Sequence, residues 1–194
     1  MYAVHTTPGF VIGSKPYGEA GKLLSIFTRD FGLVTATAQG IRLERSKLRY
    51  HAQDYSLGEF SLVRGREFWR LTNARPYADF LLPTGVGPEP VIRAALLLRR
   101  LLHGEESNPL LFGHVYECTR FLAGNPDLDE RQMQAAESLV VFRILDALGY
   151  IGDNHDLNGD LLSSVLSVGL LETASGQRIA INKHINTALR ESHL

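Results

Sequence analysis

Hydrophobic and polar residues alternate with a period of about two through residues 2–80, and glycine, proline and charged residues interrupt the alternation. This pattern is typical of a small antiparallel sheet. The clearest segment is Leu33–Gly40, in which Val34, Ala36 and Ala38 fall on one face of a strand. Small inward-facing residues suit the narrow interior of a barrel.

The alternation predicts five strands, with a short helix between the third and the fourth. We expect this helix to begin after Ser46, as its N-cap, and to end near Gln53. The segment from Glu19 to Asp30 also fits an amphipathic helix, so two interpretations of the second strand stay open. The predicted strands are Thr7–Ser14, Gly21–Thr28, Leu33–Gly40, Tyr55–Val63 and Glu67–Tyr77. This order is that of an OB-fold, although other small barrels fit the same pattern.

The last predicted strand has two distinct faces. Trp69 and Leu71 point to one face, where Trp69 is expected in the core, and Arg70 and Thr72 point to the other. Phe68 lies on the second face, beside Arg70. An exposed aromatic ring next to a cation can stack bases and neutralise phosphates. Packing of Phe68 beneath the following helical domain is an equal alternative.

The composition changes at residues 81–90, where three prolines and two glycines indicate a join between domains. Beyond it the hydrophobic period becomes helical, which predicts helices over residues 90–104 and 109–124, and a third capped by Asp129 that ends near Gly149. A short helix over 160–168, a strand-like segment over 170–181 and a last helix from residue 182 follow. We therefore expect an α+β protein, in which a five-stranded OB-fold barrel over residues 1–80 precedes an α-helical domain over residues 81–194.

Charge is distributed unevenly along the chain. Residues 1–80 hold 11 basic and 7 acidic residues, for a net charge of +4, whereas residues 81–194 have a net charge of −5. The densest basic segment is Gln39–Arg49, which carries a single acid, Glu44. Lysine and arginine displace condensed counterions from nucleic acid, so this segment is a candidate phosphate-binding site. The alternative is a solvated surface turn.

The sequence offers little support for an enzyme. Cys118 is the single cysteine and lies on the apolar stripe of a predicted helix, so a structural role is expected. The motifs for nucleotide loops, dinucleotide folds, helical zinc sites and serine hydrolases do not occur. A binding role is the better hypothesis, and we expect no catalytic residue and no cofactor.

Several possible metal ligands lie close together, at Asp153, His155, Asp156 and Asp160. A calcium loop would start correctly at Asp156, but it lacks the required glycine and ends in serine instead of glutamate. We therefore predict a turn with Asp160 as a helix cap, and no metal.

The cellular location is also an expectation from the sequence. No apolar run approaches the roughly 18–20 residues that a membrane span needs. The N-terminus has neither the charged region nor the apolar core of a signal peptide, and one cysteine fits a reducing compartment. These features predict a cytoplasmic protein without a membrane partner.

A combination of short elements in residues 5–80 is far more distinctive than any one of them. The elements are Tyr17-Gly18-Glu19, Phe27-Thr28, Gly32, Ala38-Gln39-Gly40, Arg42, Ser46, Leu48-Arg49, Gln53 and the hairpin RGREFWRLT. In this combination the N-terminal half resembles the DNA repair protein RecO. The helical half agrees mainly in layout and in the segment FRILDALGY.

The resemblance implies an OB-fold followed by a helical domain, and a recombination mediator without a catalytic step. Such a protein binds single- and double-stranded DNA, anneals complementary strands and acts with RecR. Together they help to load the recombinase RecA onto strands coated by the single-stranded-DNA-binding protein, which implies action at the nucleoid. Many members of the family carry a four-cysteine zinc motif after the long helix. This chain has IGDNHDLNGD there, so we predict no zinc.

The resemblance also suggests which residues meet the partners. The residues expected to hold nucleic acid are Arg42, Arg45, Lys47, Arg49, Arg64, Arg66, Phe68 and Arg70. The residues that could receive the acidic, apolar tail of a single-strand-binding protein are Arg93, Arg99, Arg100 and Arg120. Salt bridges within the domain are the alternative for these four. The alternative function is an OB-fold adaptor that acts mainly through protein partners, with weak intrinsic DNA binding.

Overall fold

The computed structural model describes residues 3–77, 88–152, 157, 159–163 and 165–191. The chain forms two compact units. The barrel unit contains residues 1–87 and 101–112, and the helical unit contains residues 88–100 and 113–194. The predicted boundary after residue 80 stays a prediction, since residues 78–87 lie outside the described part of the chain.

A closed barrel of five strands forms the barrel unit, with one short helix between the third and fourth strands in the chain. The elements are β1 (Val4–Tyr17), β2 (Gly21–Thr28), β3 (Gly32–Ala38), α1 (Leu48–His51), β4 (Leu57–Val63) and β5 (Trp69–Pro76). The strands neighbour one another in the order β1-β2-β3-β5-β4, and all strand pairs are antiparallel except β3 with β5. The predicted fold class is confirmed.

The inward-facing rows are those that the alternation predicts. Val34, Ala36 and Ala38 are fully buried, and Trp69 and Leu71 are 3% and 4% exposed. These side chains belong to one core cluster inside the barrel. Trp69 is therefore a core residue, as predicted.

Segment 21–28 is a strand and not the alternative helix. β2 pairs with β1 on one side and with β3 on the other, so the tertiary pairing satisfies its backbone. β1 is longer than predicted because its first half pairs with β4 and its second half with β2, with an irregularity between Val11 and Gly13. Such an irregularity bends a strand, so that its two halves can pair with different neighbours in the barrel.

The start of α1 differs from the prediction. Its N-cap is Lys47, which makes no side-chain capping bond, and Ser46 lies one position earlier in a turn that its N–H closes on the carbonyl of Leu43. The helix is short enough for its core contacts to position it without a cap: Leu48 packs against the core cluster and Ala52 is part of it.

Residues 101–112 pack on the barrel. The N–H of Leu33 donates to the carbonyl of Gly104 at 3.2 Å, and the ring of Phe112 lies 5.6 Å from that of Phe27. Gly32 has a φ of +66°, and a Cβ there would lie 2.2 Å from the carbonyl oxygen of Glu106. Only glycine satisfies both constraints, so the turn between β2 and β3 can receive this segment.

The helices that follow the barrel are α2 (Glu89–Leu101), α3 (Pro109–Gly124), α4 (Glu130–Ala147), α5 (Asp160–Ser163), α6 (Val168–Gly176) and α7 (Arg178–Glu191). The predicted first three helices agree closely with α2, α3 and α4. Asp129 caps α4 as predicted: its carboxylate accepts the N–H of Gln132, whose side chain accepts the N–H of Asp129 in return. This reciprocal capping box satisfies two amides that would otherwise lack partners.

The strand-like interpretation of residues 170–181 is wrong. Residues 170–176 belong to α6 and residues 178–181 to α7, with Gln177 as the C-cap between them, so the predicted last helix begins at Arg178 instead of residue 182. The hydroxyl of Ser167 accepts the N–H of Leu170 and so starts α6, whose buried residues Leu170, Leu171 and Ala174 follow a helical spacing. Contact with α4 buries this stripe and selects the helix.

The predicted turn and calcium-loop comparison involve Asp153, His155 and Asp156, which lie outside the described residues. Asp160 is the first residue of α5, which ends at Ser163, earlier than predicted. In the described ranges, His, Cys, Asp and Glu side chains form no group of three or more placed for a metal ion. Likewise, none of the helices in those ranges is both long and apolar enough to cross a bilayer.

A buried arginine connects three parts of the helical unit. Arg143 on α4 is 1% exposed; its Nε donates to the carbonyl of Leu161 at 2.7 Å and its Nη1 to Glu117 on α3 at 3.2 Å. The other carboxylate oxygen of Glu117 accepts the N–H of Leu166. Burial lowers the pKa of Arg143, and the neighbouring Glu117 opposes this effect. The pair therefore connects the backbone of Leu161 and Leu166 to α3 and α4.

We expect Arg143→Met to lower the free energy of unfolding by about 3 kcal/mol, because it leaves Glu117 and the carbonyl of Leu161 without their donor. Urea unfolding followed by circular dichroism measures the loss. Arg190→Met at an exposed position of α7 is the matched control and should change stability by less than about 0.5 kcal/mol. Equal unfolding midpoints for the two variants would contradict the assignment.

Cys118 is 2% exposed, on the buried stripe of α3, and burial raises the pKa of its thiol to about 12. Only the thiolate reacts with disulfide reagents, and at pH 8 almost none is present. We therefore expect no labelling of the folded protein by Ellman's reagent at pH 8 and rapid stoichiometric labelling in denaturant. Labelling of the folded protein at the rate of the denatured protein would contradict this prediction.

Candidate nucleic-acid interface

The basic segment lies in the loop between β3 and α1, where its charged side chains are exposed and its backbone is anchored to the barrel core. Ile41 is 3% exposed and belongs to the barrel core, whereas residues 42–45 are exposed. Backbone hydrogen bonds from Leu43 to Gly40 and from Ser46 to Leu43 close two consecutive turns. The cations of this segment therefore extend from a backbone that is already ordered.

A cleft of about 650 Å³ lies at one end of the barrel. We call it the barrel-end cleft; its basic residues are Lys22, Arg42 and Arg49, and its acidic residues are Glu44 and Asp54. Its lining also includes two members of the core cluster, which places it over the barrel interior. The three cations form no ion pair among the residues that the structure describes, so their charge is available to an anion.

Lys22 reaches the cleft because of its register. It lies on the same face of β2 as the buried residues Leu24 and Ile26, two positions before Leu24, and it pairs with Ala38 on β3. A lysine on the inward face at the end of a strand can extend its side chain past the core to the open end of the barrel. Sequence reasoning missed Lys22, although its place in the alternation was a usable signal.

Arg42 connects the cleft to the turn between β1 and β2. Its backbone N–H donates to the carbonyl of Ala20 at 3.0 Å, and its guanidinium donates to the carbonyl of Glu19 at 3.4 Å. The same turn lines a second, smaller groove of about 240 Å³, together with residues 37–40. The two concave surfaces are thus neighbours along the barrel unit.

Two aromatic rings meet beside the smaller groove. Tyr17 is 48% exposed, and its ring lies edge-to-face against Phe68, with 6.0 Å between the ring centroids. Phe68 is half-buried. Arg70 is exposed and pairs with Thr37, which lines the groove. We call Tyr17, Phe68 and Arg70 the aromatic surface; sequence reasoning missed Tyr17.

Arg64 has an internal partner. Its guanidinium forms a 3.0 Å salt bridge with Glu105 and lies 5.3 Å from the ring centroid of Trp69. The second oxygen of Glu105 accepts the indole N–H of Trp69 at 2.8 Å. One carboxylate therefore neutralises Arg64, which leaves it less charge for an external phosphate.

The remaining predicted nucleic-acid residues are exposed but separate. Arg45 and Lys47 lie on the β3–α1 loop outside the lining of the barrel-end cleft, and Arg66 lies in the turn between β4 and β5. The structure thus brings together Arg42 with Arg49, and Phe68 with Arg70. It does not group all eight predicted residues in one cluster.

The four arginines of the helical unit have different environments. Arg93 binds Glu89 and also Glu137, at 3.0 Å, and its hydrogen bond to Glu89 raises its pKa. The groove beside it, of about 590 Å³, contains further carboxylates. Arg99, Arg100 and Arg120 are exposed and form no ion pair among the described residues. Leu96, 47% exposed, precedes Arg99 and Arg100 by about one helical turn on α2.

Residues 1–80 match the family model described as Recombination protein O N terminal. This range includes all five strands and α1. It therefore contains every residue of the barrel-end cleft and of the aromatic surface.

Curated relatives agree with this match. The chain is 30% identical over 142 residues to the DNA repair protein RecO of Haemophilus influenzae, across 73% of this chain and 58% of that protein. It is 38% identical over 78 residues to the DNA repair protein RecO of Rubrobacter xylanophilus, across 40% of this chain and 32% of that protein. The matched region thus spans less than two thirds of each relative's length.

Proposed function

Since this chain belongs to the RecO family through its N-terminal region, we propose that it acts in DNA repair and recombination by binding DNA through the barrel unit. The observation that carries the proposal is the barrel-end cleft, where Lys22, Arg42 and Arg49 face solvent without ion-pair partners among the described residues. Cations in such an arrangement bind phosphates and release counterions.

The aromatic surface extends the proposed site. In OB-folds, the loops between strands 1 and 2 and between strands 4 and 5 bind oligonucleotides. Here Tyr17 precedes the first of these loops and Phe68 ends the second, and the two rings touch. Arg70 adds a cation beside them. An aromatic pair beside a cation provides contacts with bases as well as with phosphates.

The proposed mechanism is strand annealing without a chemical step. Backbone contacts position a strand but carry no sequence information, so the base edges stay free to pair. Bound cations also reduce the repulsion between two phosphate backbones as they approach each other. We propose that the protein binds single- and double-stranded DNA in this way, at the nucleoid in the cytoplasm.

The proposed protein partners follow the family. The protein would act with RecR to help load RecA onto strands coated by the single-stranded-DNA-binding protein. On the helical unit, Leu96, Arg99 and Arg100 combine an exposed apolar side chain with two cations, which suits a tail that is both acidic and apolar. Arg93 is less suited, because Glu89 and Glu137 already neutralise it.

An adaptor that binds DNA weakly is the second candidate function. The salt bridge between Arg64 and Glu105 favours it, since it removes one cation from the surface that sequence reasoning assigned to DNA. The two functions differ in the affinity of the isolated protein for DNA and in its dependence on salt.

We expect Arg42→Glu/Arg49→Glu to bind a single-stranded oligonucleotide about tenfold more weakly than wild type, because two phosphate contacts become repulsive. The slope of log affinity against log salt should fall by roughly 0.7 per lost contact. Fluorescence anisotropy at several salt concentrations measures both quantities.

The matched control for this experiment is Arg75→Glu/Arg190→Glu, which makes the same change in net charge at exposed positions outside the proposed site. It should bind nearly as wild type. Equal weakening in both double variants would show that only net charge matters and would contradict the site. Wild-type binding too weak to saturate at low salt would favour the adaptor.

We expect Leu96→Ala/Arg99→Ala/Arg100→Ala to weaken binding of a labelled peptide whose C-terminus is acidic and apolar by about tenfold, through loss of charge pairing and apolar contact. Anisotropy of the peptide measures the affinity. Arg93→Ala is the control and should leave the affinity nearly unchanged. If Arg93→Ala lost affinity for the peptide and the triple variant did not, the assignment of the peptide site to Leu96, Arg99 and Arg100 would be contradicted.

A further inference from the structure

Tyr50 is an exposed aromatic residue next to the barrel-end cleft. Its side chain is 65% exposed on α1, and the guanidinium carbon of Arg49 lies 6.0 Å from the centroid of its ring. Arg49 also lines the cleft. The ring is therefore in contact with a cation of the proposed phosphate-binding site.

The backbone beneath Tyr50 is held on both sides. The N–H of Ala52, which is 1% exposed in the barrel core, donates to the carbonyl of Leu48 at 2.9 Å. Leu48 packs against the same core. The side chain of Gln53 donates to the carbonyl of Arg49 at 3.2 Å. An exposed ring on such an anchored turn costs little conformational entropy when a ligand binds it, since tyrosine has only two side-chain torsions.

The neighbouring groups identify the chemical class of the ligand. A nucleotide in an unpaired strand offers both a phosphate and a free aromatic face. The phosphate can pair with Arg49 and the other cations of the cleft, and the base can stack on the ring of Tyr50. Arg49 can also contact the stacked base as a cation, because it already lies beside the ring. In a duplex the faces of the bases are stacked on one another, so this second contact is not available.

We propose that Tyr50 is a base-stacking residue that gives the barrel-end cleft a preference for single-stranded over double-stranded nucleic acid. This inference rests on the proposed DNA-binding function and adds to it the class of strand that the cleft takes. An annealing protein needs this preference, because the strand must leave when it has become a duplex. Arg42 and Lys22 contribute to the binding of both single-stranded and double-stranded nucleic acid, whereas Tyr50 contributes only to the binding of a single strand.

The test compares Tyr50→Ala and Tyr50→Phe with wild type, on a single-stranded oligonucleotide and on the matching duplex. We expect Tyr50→Ala to bind the single strand about tenfold more weakly and the duplex within about twofold of wild type. Tyr50→Phe keeps the ring and should bind both as wild type. An oligonucleotide with abasic sites should bind wild type and Tyr50→Ala equally, since it has phosphates but no bases to stack.

Tyr150→Ala is the control for removal of an exposed tyrosine outside the barrel unit, at 37% exposure, and should have no effect on binding. Tyr50→Ala is expected to fold, because the ring is mostly solvent-exposed, and circular dichroism checks this. Unchanged single-strand affinity of folded Tyr50→Ala would overturn the inference, as would equal weakening on single strand and duplex. Absence of DNA binding by wild type would overturn the proposed function first, so the two failures are distinguishable.

Discussion

Closure of the barrel between β3 and β5 is the constraint on which the binding surfaces depend. The two strands pair in parallel over a short register, with Ala36 opposite Trp69 and Thr37 opposite Arg70. This pairing removes the free edges of the sheet and places Arg70 on the outer surface beside β3. It also brings the end of the β4–β5 turn, with Phe68, to Tyr17 at the end of β1. Residues separated by about fifty positions in the chain become neighbours only because the barrel closes.

The residues around Trp69 support this closure from outside the strands. Glu105, in the connection between α2 and α3, accepts the indole N–H of Trp69 and pairs with Arg64. Gly32 lets the same connection approach the β2–β3 turn. The barrel unit therefore includes residues that come after its last strand by about thirty positions. The unit is thus larger than its five strands and α1.

Five arginines of this protein illustrate two different roles. Arg64, Arg93 and Arg143 have carboxylate partners within their own units, and they connect elements of the fold. Arg42 and Arg49 have none among the described residues and line a concave surface with Lys22. Exposed ion pairs contribute little to stability, whereas a buried one such as Arg143 with Glu117 is costly to break. In the helical unit, that buried pair connects the backbone of Leu161 and Leu166 to α3 and α4.

The pattern of residues alone predicted the five strands, the first three helices after them and the inward rows, because burial imposes a period of two on strands and of about 3.6 on helices. It also located the basic loop and the hairpin that carries Phe68 and Arg70. The tertiary structure is what makes residues 170–181 mainly helical, since contact with α4 determines which of their side chains are buried. It also decided which cations are neutralised and that Lys22, Tyr17 and Tyr50 border the candidate site. Ion pairing and shared clefts depend on distances between residues far apart in the chain, and local periodicity contains no information about those distances.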